Sequence, residues 1–590
     1  MMEVSRIFDL PAYQLEQYPR KDAFNRRVDN DWVPLSSGEM ITQIHRFSKG
    51  LIAMGIEPGE NIALICQNCP EWNMIDMAIM QVGAVCVPVY PTLSDREYQY
   101  VFDHAEIRLA IAGNETLYRR LAEMSASMKT LKDIFCVEQI AGEKHWTEIL
   151  ALGENIAQEE VEKRMKAIEP DTLATIIYTS GTTGIPKGVM LSHRNIISNI
   201  QSVIQLLPIT HEHRVMSFLP MSHIFERMVV YTYIHLGCAV YYEEDLDRLM
   251  LSVQEVKPHF FATVPRLLEK IYESMLARGY ELPVALRKLY FWAMNIGLRY
   301  QVDVDQGWRY AWRVAIARRF VFRRWQKALG GELIAIVTGA VALPPKLCKI
   351  FSAAGIAVRE GYGQTESSPV ISFNRFEPGG TLEGTVGMPI PGVEVKIAAD
   401  GEICVRGPNV MLGYYKDPEA TRQVIDADGW LQTGDVGKIV KGRFIRITDR
   451  IKELFKTSGG KYVAPQPIEN RFRDSVYIDQ IMVVGAEQKF AAALISPAFD
   501  TLKAWMAERG ILAETKEEMV KNLAVKELFQ GIADQYNTEF SQIEKVKKIE
   551  LVTDSWAAES GELTQTQKLK RRVLLEKYRE VIDHIYHSDV

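Results

Sequence analysis

Cysteine is scarce in this chain, seven residues in 590, and the count is odd. Cys66, Cys69, Cys86, Cys136, Cys238, Cys348 and Cys404 stand mostly in apolar runs such as Ala63-Leu64-Ile65-Cys66, which predicts reduced core side chains rather than a disulfide framework. Cys66-x-x-Cys69 has no second Cys pair or His cluster to complete a zinc site, so neither metal nor redox use is expected of it. No stretch reaches the roughly 18 consecutive apolar residues of a membrane span. The nearest, Met228 to Tyr242, is short and carries His235. Basic excess is also lacking: 69 Lys and Arg stand against 75 Asp and Glu, a net charge of −6, which argues against a nucleic-acid partner. The opening residues show no basic stretch followed by an apolar run, so a secretory signal is not expected. There is no internal repeat or low-complexity tract. These absences predict a cytoplasmic protein, at most peripheral on the inner face of a membrane.

What is present is ordinary globular composition, 47% hydrophobic and 24% charged, in a chain well beyond the size at which a single core keeps growing. Two or more packed units follow. Short β-rich runs (Ile62–Cys66, Ala84–Tyr90, Leu173–Tyr178, Cys238–Tyr242, His259–Thr263, Leu333–Thr338) alternate with helical periodicity, the βαβα pattern of parallel sheets covered by helices. From about residue 375 the texture changes to short strands and tight turns, with an Asp400-Gly401 hairpin signal between two β runs. A Lys- and Glu-rich α+β segment follows the alternating strand Arg443–Thr448. The expected fold is α/β: a large N-terminal domain, residues 1–449, of parallel βα subdomains plus a small β-barrel-like subdomain at about 375–448, then a smaller α+β domain, 450–590.

The most informative stretch, Tyr178-Thr-Ser-Gly-Thr-Thr-Gly-Ile-Pro-Lys-Gly188, is a hydroxyl- and glycine-rich turn directly after a buried β run. Glycines allow tight backbone there, and hydroxyls, N–H groups and Lys187 can surround phosphoryl oxygens. It is not a Walker A loop, because Gly188 rather than Ser or Thr follows the lysine.

This run resembles the phosphate loop of the adenylate-forming superfamily, which includes acyl-CoA synthetases and the adenylation domains of peptide synthetases. Further matches come in the same order: Leu219–Glu226, Gly361–Glu366, Asp428–Asp435, Thr448–Lys452 and Gly561–Arg571. The resemblance spans roughly residues 25–580 and is closest to the long-chain fatty acid-CoA ligases. It implies ATP-dependent activation of a fatty acid to acyl-AMP with release of pyrophosphate, then transfer to CoA, with Mg2+ as cofactor.

Residue by residue, the resemblance gives Thr179, Ser180, Gly181, Thr182, Thr183, Gly184 and Lys187 to the phosphates, and Gly361, Tyr362, Gly363 and Thr365 to the nucleotide. Tyr362 would lie against adenine. Asp435 would accept from the ribose hydroxyls, and Arg450 would pair with ribose or phosphate oxygens. Glu366, with the Thr182 hydroxyl, would hold magnesium. Lys568 would bridge the carboxylate and the α-phosphate, and neighbouring Lys570, Arg571 and Arg572 read as solvated charge. Asp449 and Lys452 mark the hinge, at about 449–454, of a mobile C-terminal domain. Ser458, Gly459 and Gly460 would admit the thin arm of CoA. His223, Val264, Gly339 and Ala340 are expected around the acyl pocket.

Two other readings stay open: a fatty acyl-AMP ligase loading a carrier protein, and a catalytically silent lipid-binding homologue. Between Arg287 and Lys327 lie ten Lys or Arg and two Asp, interleaved with aromatics. This insert reads either as a solvated helical face over an aromatic core or as a peripheral membrane contact. The sequence does not fix the oligomeric state; a homodimer is compatible with it.

Overall fold

The computed structural model describes residues 2–179, 186–450, 453–458, 461–557, 560–564 and 568–587. Aliphatic runs buried on both faces need helices on both sides, and this arrangement occurs twice. In one sheet Asn61–Ile65, Val85–Pro88, Leu109–Ala112, Asp133–Cys136 and Leu173–Thr179 run parallel. Lys187–Ser192 folds back antiparallel on Leu173–Thr179, and Gly413–Tyr414 closes that edge. The second sheet holds Phe24–Val28, Ala239–Tyr242, Arg214–Ser217, Phe260–Thr263, Ala335–Thr338 and Ala357–Gly363 in parallel, with Asp31–Leu35 antiparallel at one edge and Val370–Phe373 and Met388–Pro389 at the other. The β runs expected from sequence are the centres of these sheets.

The two sheets share a helical layer. Pro70–Gln81 is buried at every position, and Ile224–His235 at nearly every one, as helices sandwiched between apolar faces must be. Within this layer Arg227 pairs with Asp76, both wholly buried. Tyr231 also donates to Asp76, and Arg227 donates to the Tyr231 hydroxyl (2.6 Å) and to Thr175 Oγ1 (2.7 Å). Thr175 in turn donates to the Cys86 carbonyl (2.6 Å). One guanidinium thus ties two helices to two strands of the first sheet.

A four-stranded antiparallel sheet follows, Glu394–Ile397, Glu402–Arg406, Leu431–Val440 and Phe444–Arg450, its first hairpin turning at Gly401 with φ +90°. The C-terminal domain is built on Ile478–Val484, Ala491–Pro497 and Val546–Leu551 and has hydrophobic clusters of its own, drawn from residue 455 onward.

In the basic aromatic insert, Val284–Leu298 and Trp308–Ala317 are helices, Arg318–Phe322 is a π-turn and Arg323–Ala328 resumes the α-helix. The buried positions run Val314, Ala317, Val321 and then Phe322, Trp325, Leu329. This inward stripe slips by one residue at 321/322, and the extra residue of the π-turn absorbs the slip. All seven cysteines are free, and Cys66 Sγ lies 3.6 Å from Cys69 Sγ. Among the described residues no helix is long and apolar enough to cross a membrane.

Because removing one member of a buried ion pair strands the other, Arg227→Met is expected to cost about 3–5 kcal/mol. Arg227→Met with Asp76→Leu should recover most of that loss. Denaturant midpoints of the single and double variants check both statements.

Candidate functional site

A cavity of about 2190 Å3 opens between the two large sheets, the four-stranded sheet and the C-terminal domain. The strands Leu173–Thr179 and Lys187–Ser192 bring Thr179 and Lys187 opposite each other at its edge. Ser180, Gly181, Thr182, Thr183 and Gly184 lie outside the described residues. Lys187 Nζ sits 4.7 Å from the ring centre of Tyr414, whose hydroxyl donates to Glu366 Oε1 (2.9 Å). The cation, the ring and the carboxylate therefore form one chain along the wall.

Glu366 closes the segment Gly361–Glu366, all of which lines the cavity. Gly363 is required sterically, because a Cβ there would meet the Pro369 carbonyl oxygen at 1.7 Å. Gly339 packs its Cα side against the Gly361 carbonyl, where a Cβ would sit at 3.4 Å, and Ala340 adopts φ +70°, unusual for a non-glycine residue. Glu360, just before the motif, also lines the cavity; burial pushes its carboxyl up to about 8, and Oε1 accepts from Leu343 N–H (3.0 Å).

Asp435 is the hub. Its Oδ2 accepts from the Tyr362 hydroxyl (2.7 Å) and Gln364 Nε2 (2.8 Å), and Oδ1 lies 3.1 Å from Arg450 Nε. Register explains the last contact, since Asp435 faces Arg450 across neighbouring strands. A carboxylate offers about four acceptor directions, so Asp435 has little left over, and its Oδ1 side is the open one. Burial and the Asp435 charge push the Tyr362 phenol well up.

His223 caps the helix Ile224–His235, its Nδ1 accepting from Phe225 N–H (3.1 Å). Burial, with the Lys568 charge second, lowers its pKa to about 4. A neutral ring whose Nδ1 accepts carries its proton on Nε2. Lys568 reaches the cavity from a C-terminal-domain strap: Thr564 N–H donates to its carbonyl (2.7 Å), and Lys568 N–H donates to Thr564 Oγ1 (3.0 Å). Burial and the Arg450 guanidinium lower its pKa to about 8, against the pull of Asp435, Glu453 and Glu366.

The structure thus brings together Thr179, Lys187, His223, Gly339, Ala340, Gly361, Tyr362, Gly363, Thr365, Glu366, Asp435, Arg450 and Lys568. Val264 is elsewhere: it lines a separate small crevice with Arg266, Asn470 and Asp479, between the large and C-terminal domains. Ser458 is exposed and outside the cavity lining, and Lys452, Gly459 and Gly460 lie outside the described residues. Asp449, 2% exposed, stands next to Arg450, with burial raising its pKa to about 7. Sequence reasoning missed Gln364 and Tyr414. Gln364 was visible inside the motif, but Tyr414 had no local signal.

Among the described residues no three His, Cys, Asp or Glu cluster as a metal cage. Glu366 alone, facing the cavity near Lys187, fits a magnesium ion, which commonly takes one or two carboxylates and completes its shell with phosphates and water.

A polar cavity lined by Lys187, Glu366, Asp435 and Arg450, with Lys568 entering from the C-terminal domain, is the setting in which the class of the chain becomes plain. The chain belongs to the AMP-binding enzyme family: residues 12–415 match the AMP-binding enzyme model and 453–590 the AMP-binding enzyme C-terminal domain. It is similar to the long-chain-fatty-acid–CoA ligase FadD15 of Mycobacterium tuberculosis, 31% identical over 96% of this chain and 94% of that one. It is also similar to long-chain-fatty-acid–CoA ligase 5 of Rattus norvegicus, 34% identical over 91% of this chain and 82% of the relative. The fold matches the A domain of a carboxylic acid reductase from Segniliparus rugosus in complex with AMP and a carboxylic acid, with TM-score 0.74 and 20% identity over 99% of this chain and 94% of that one.

In the ligand-free chain Lys568 should titrate near 8, well below ordinary lysines. Arg450→Leu should raise that value, because the guanidinium disfavours a second positive charge. NMR of 13C-methylated lysines across pH, with Lys568→Arg to assign the resonance, checks both.

Proposed function

We propose that the chain makes long-chain acyl-CoA from fatty acid, ATP and CoA through an acyl-AMP intermediate. The observation that carries this reading is the meeting of Lys187, Glu366, Asp435, Arg450 and Lys568 in one cavity with an apolar limb. That limb is lined by Val203, Leu207, Met228, Val229, Thr232 and Phe260. Phe225, Met228, Val229 and Thr232 form one face of a helix, about 10 Å long, which supports a long acid. The relatives' names, CoA ligases, favour CoA over a carrier protein as acceptor.

In the first step a carboxylate oxygen attacks the α-phosphorus of ATP, the bond to the β-phosphate oxygen breaks, and pyrophosphate leaves. Thr179, Lys187 and the hydroxyl-rich residues Ser180 to Thr183 hold the phosphates. Tyr362 faces the adenine, and Asp435 accepts from the ribose through its open Oδ1 side while Arg450 stays beside it. Lys568 stabilises the charge shared by carboxylate and α-phosphate. His223 offers its Nε2–H where the polar end meets the apolar limb. Magnesium held by Glu366 and Thr182 would offset phosphate charge.

In the second step the CoA sulfur attacks the acyl carbonyl, AMP leaves with the electron pair of the broken C–O bond, and the thiol proton passes to water. Lys568 must then withdraw to admit the thiol. We assign that movement to rotation of the domain at 450–590 about Asp449, Lys452 and the rest of 449–454, bringing Ser458, Gly459 and Gly460 to the cavity.

The insert supports collection of the acid from a lipid surface. Trp308 is 77% exposed, Trp312 65% and Phe320 55%, and Arg309, Arg313, Arg319, Arg323 and Arg324 are exposed among them. Arg318 differs, since its guanidinium donates to the Ala353 and Ser352 carbonyls. Aromatics at the acyl boundary and arginines toward anionic headgroups suit peripheral binding.

Lys568→Ala is expected to abolish pyrophosphate release with a long-chain acid while leaving thioester formation from supplied acyl-AMP and CoA largely intact. Equal loss of both would sink the two-conformation reading. Anionic liposomes should float the intact chain, and flotation should fall with Arg309, Arg313, Arg319 and Arg323 changed to Ser; equal flotation rejects the lipid contact.

A further inference from the structure

Arg571 reads from sequence as solvated charge, yet its side chain is only 18% exposed and carries four hydrogen bonds. Nη2 donates to both carboxylate oxygens of Glu469 at 2.6 Å, Nε to Glu453 Oε2 at 3.2 Å and Nη1 to the Val483 carbonyl at 3.2 Å. Glu469, 4% exposed, also accepts from Val483 N–H (2.7 Å).

Arg571 therefore joins three pieces of chain. Glu453 lies within the expected hinge at 449–454, Glu469 is on the helix Pro465–Phe472, and Val483 is on the strand Ile478–Val484. Its own position opens the helix Arg571–Lys577, three residues after Lys568. The strap before it is pinned at its other root, where Lys577 bridges Glu562 and Asp554, both at 2.8 Å. Asp449 faces the same cluster: burial and the Glu453 and Glu469 charges act against its ionisation, the Arg571 charge acts for it, and its Oδ2 has no hydrogen-bond partner among the described residues.

We propose that Arg571 is a positioning residue for the adenylation step. Its guanidinium, gripped by Glu469 and Glu453, fixes the root of the strap that aims Lys568 into the cavity and ties that strap to the hinge. A lysine there could serve one carboxylate as a point charge, but not Glu469 in bidentate fashion together with Glu453 and the Val483 carbonyl. The inference rests on the proposed role of Lys568 in adenylation.

The test uses the full chain and measures the two half-reactions separately: pyrophosphate release with palmitate and ATP, and thioester formation from supplied palmitoyl-AMP and CoA. Arg571→Met should lower kcat for pyrophosphate release by about 10²-fold, the scale for a misplaced catalytic group, with KM for ATP little changed. Thioester formation should change much less, and Arg571→Lys should recover part of the loss. Arg571→Met leaves two carboxylates uncompensated, so Arg571→Met with Glu469→Gln and Glu453→Gln serves as a second, charge-relieved variant. It should melt near the parent temperature and still fail in pyrophosphate release. Wild-type pyrophosphate release in that folded variant, or equal loss of both half-reactions in it, overturns the proposal. Full pyrophosphate release by Lys568→Ala would instead remove the underlying reading of Lys568.

Discussion

The buried pair of Arg227 and Asp76 is the constraint from which the rest of the site takes its geometry. Arg227 lies one turn into the helix that His223 caps, and its guanidinium also donates to Thr175, on the strand that ends at Thr179. The same guanidinium that pairs with Asp76 therefore sets the helix capped by His223 against the strand Leu173–Thr179. A purely apolar contact could hold these elements together with equal or greater stability. It would leave their register freer, because dispersion is not directional and a forked guanidinium is. Thr175 extends the constraint to the neighbouring strand through the Cys86 carbonyl.

Two charges on the cavity wall are set in opposite ways, Lys568 partly stripped of water and Asp435 heavily hydrogen-bonded. Lys568 is destabilised by burial and by Arg450, so a polyphosphate arriving there relieves an existing cost rather than competing with a satisfied ion pair. Asp435 is the reverse case. Tyr362, Gln364 and Arg450 already engage it, which holds the carboxylate rigid before any ribose arrives. Rigid acceptors lose little entropy on binding, which is the physical benefit of preorganisation.

Much of this was legible in the residues, for a physical reason. Fully buried parallel strands are apolar along nearly their whole length, so Ile62–Cys66 and Ala84–Tyr90 announce themselves, and the hairpin at Gly401 needs a residue that tolerates positive φ. The hydroxyl- and glycine-rich run before Lys187 is equally plain as sequence, because so dense a set of donors is what a phosphate site would demand. Partners that meet through tertiary packing were not legible. Nothing local connects Tyr414 to Glu366, 48 residues away, or Asp76 to Arg227. Arg571 was misread because a Lys- and Arg-rich run looks the same in sequence whether its members face water or Glu469. Val264 was misjudged for the opposite reason. It precedes the helix Pro265–Tyr280 beside the cavity strands, yet it lines the crevice shared with Arg266, Asn470 and Asp479.

The distribution of ion pairs also bears on how the small domain could turn. Within it the pair of Arg571 and Glu469 is the deep one, at 18% and 4% exposure, whereas Lys577 and Asp554 stand at 36% and 46%. Between the domains the pairs are shallower than Arg571–Glu469. Arg266 meets Asp479 at 23% and 21% exposure, and Lys346 reaches Asp474 at 22% and 24%. Such partly solvated pairs contribute at most about 1 kcal/mol each, and both charges can be rehydrated when they separate. The Arg571–Glu469 pair cannot be opened so cheaply, because Glu469, 4% exposed, would be left as an uncompensated buried charge. A rotation about 449–454 would therefore break the contacts that are easily replaced by water and carry the Arg571–Glu469 pair along intact. Weak contacts across the interface and strong ones within each body are the condition for rigid-body motion, and the placement of these residues meets it.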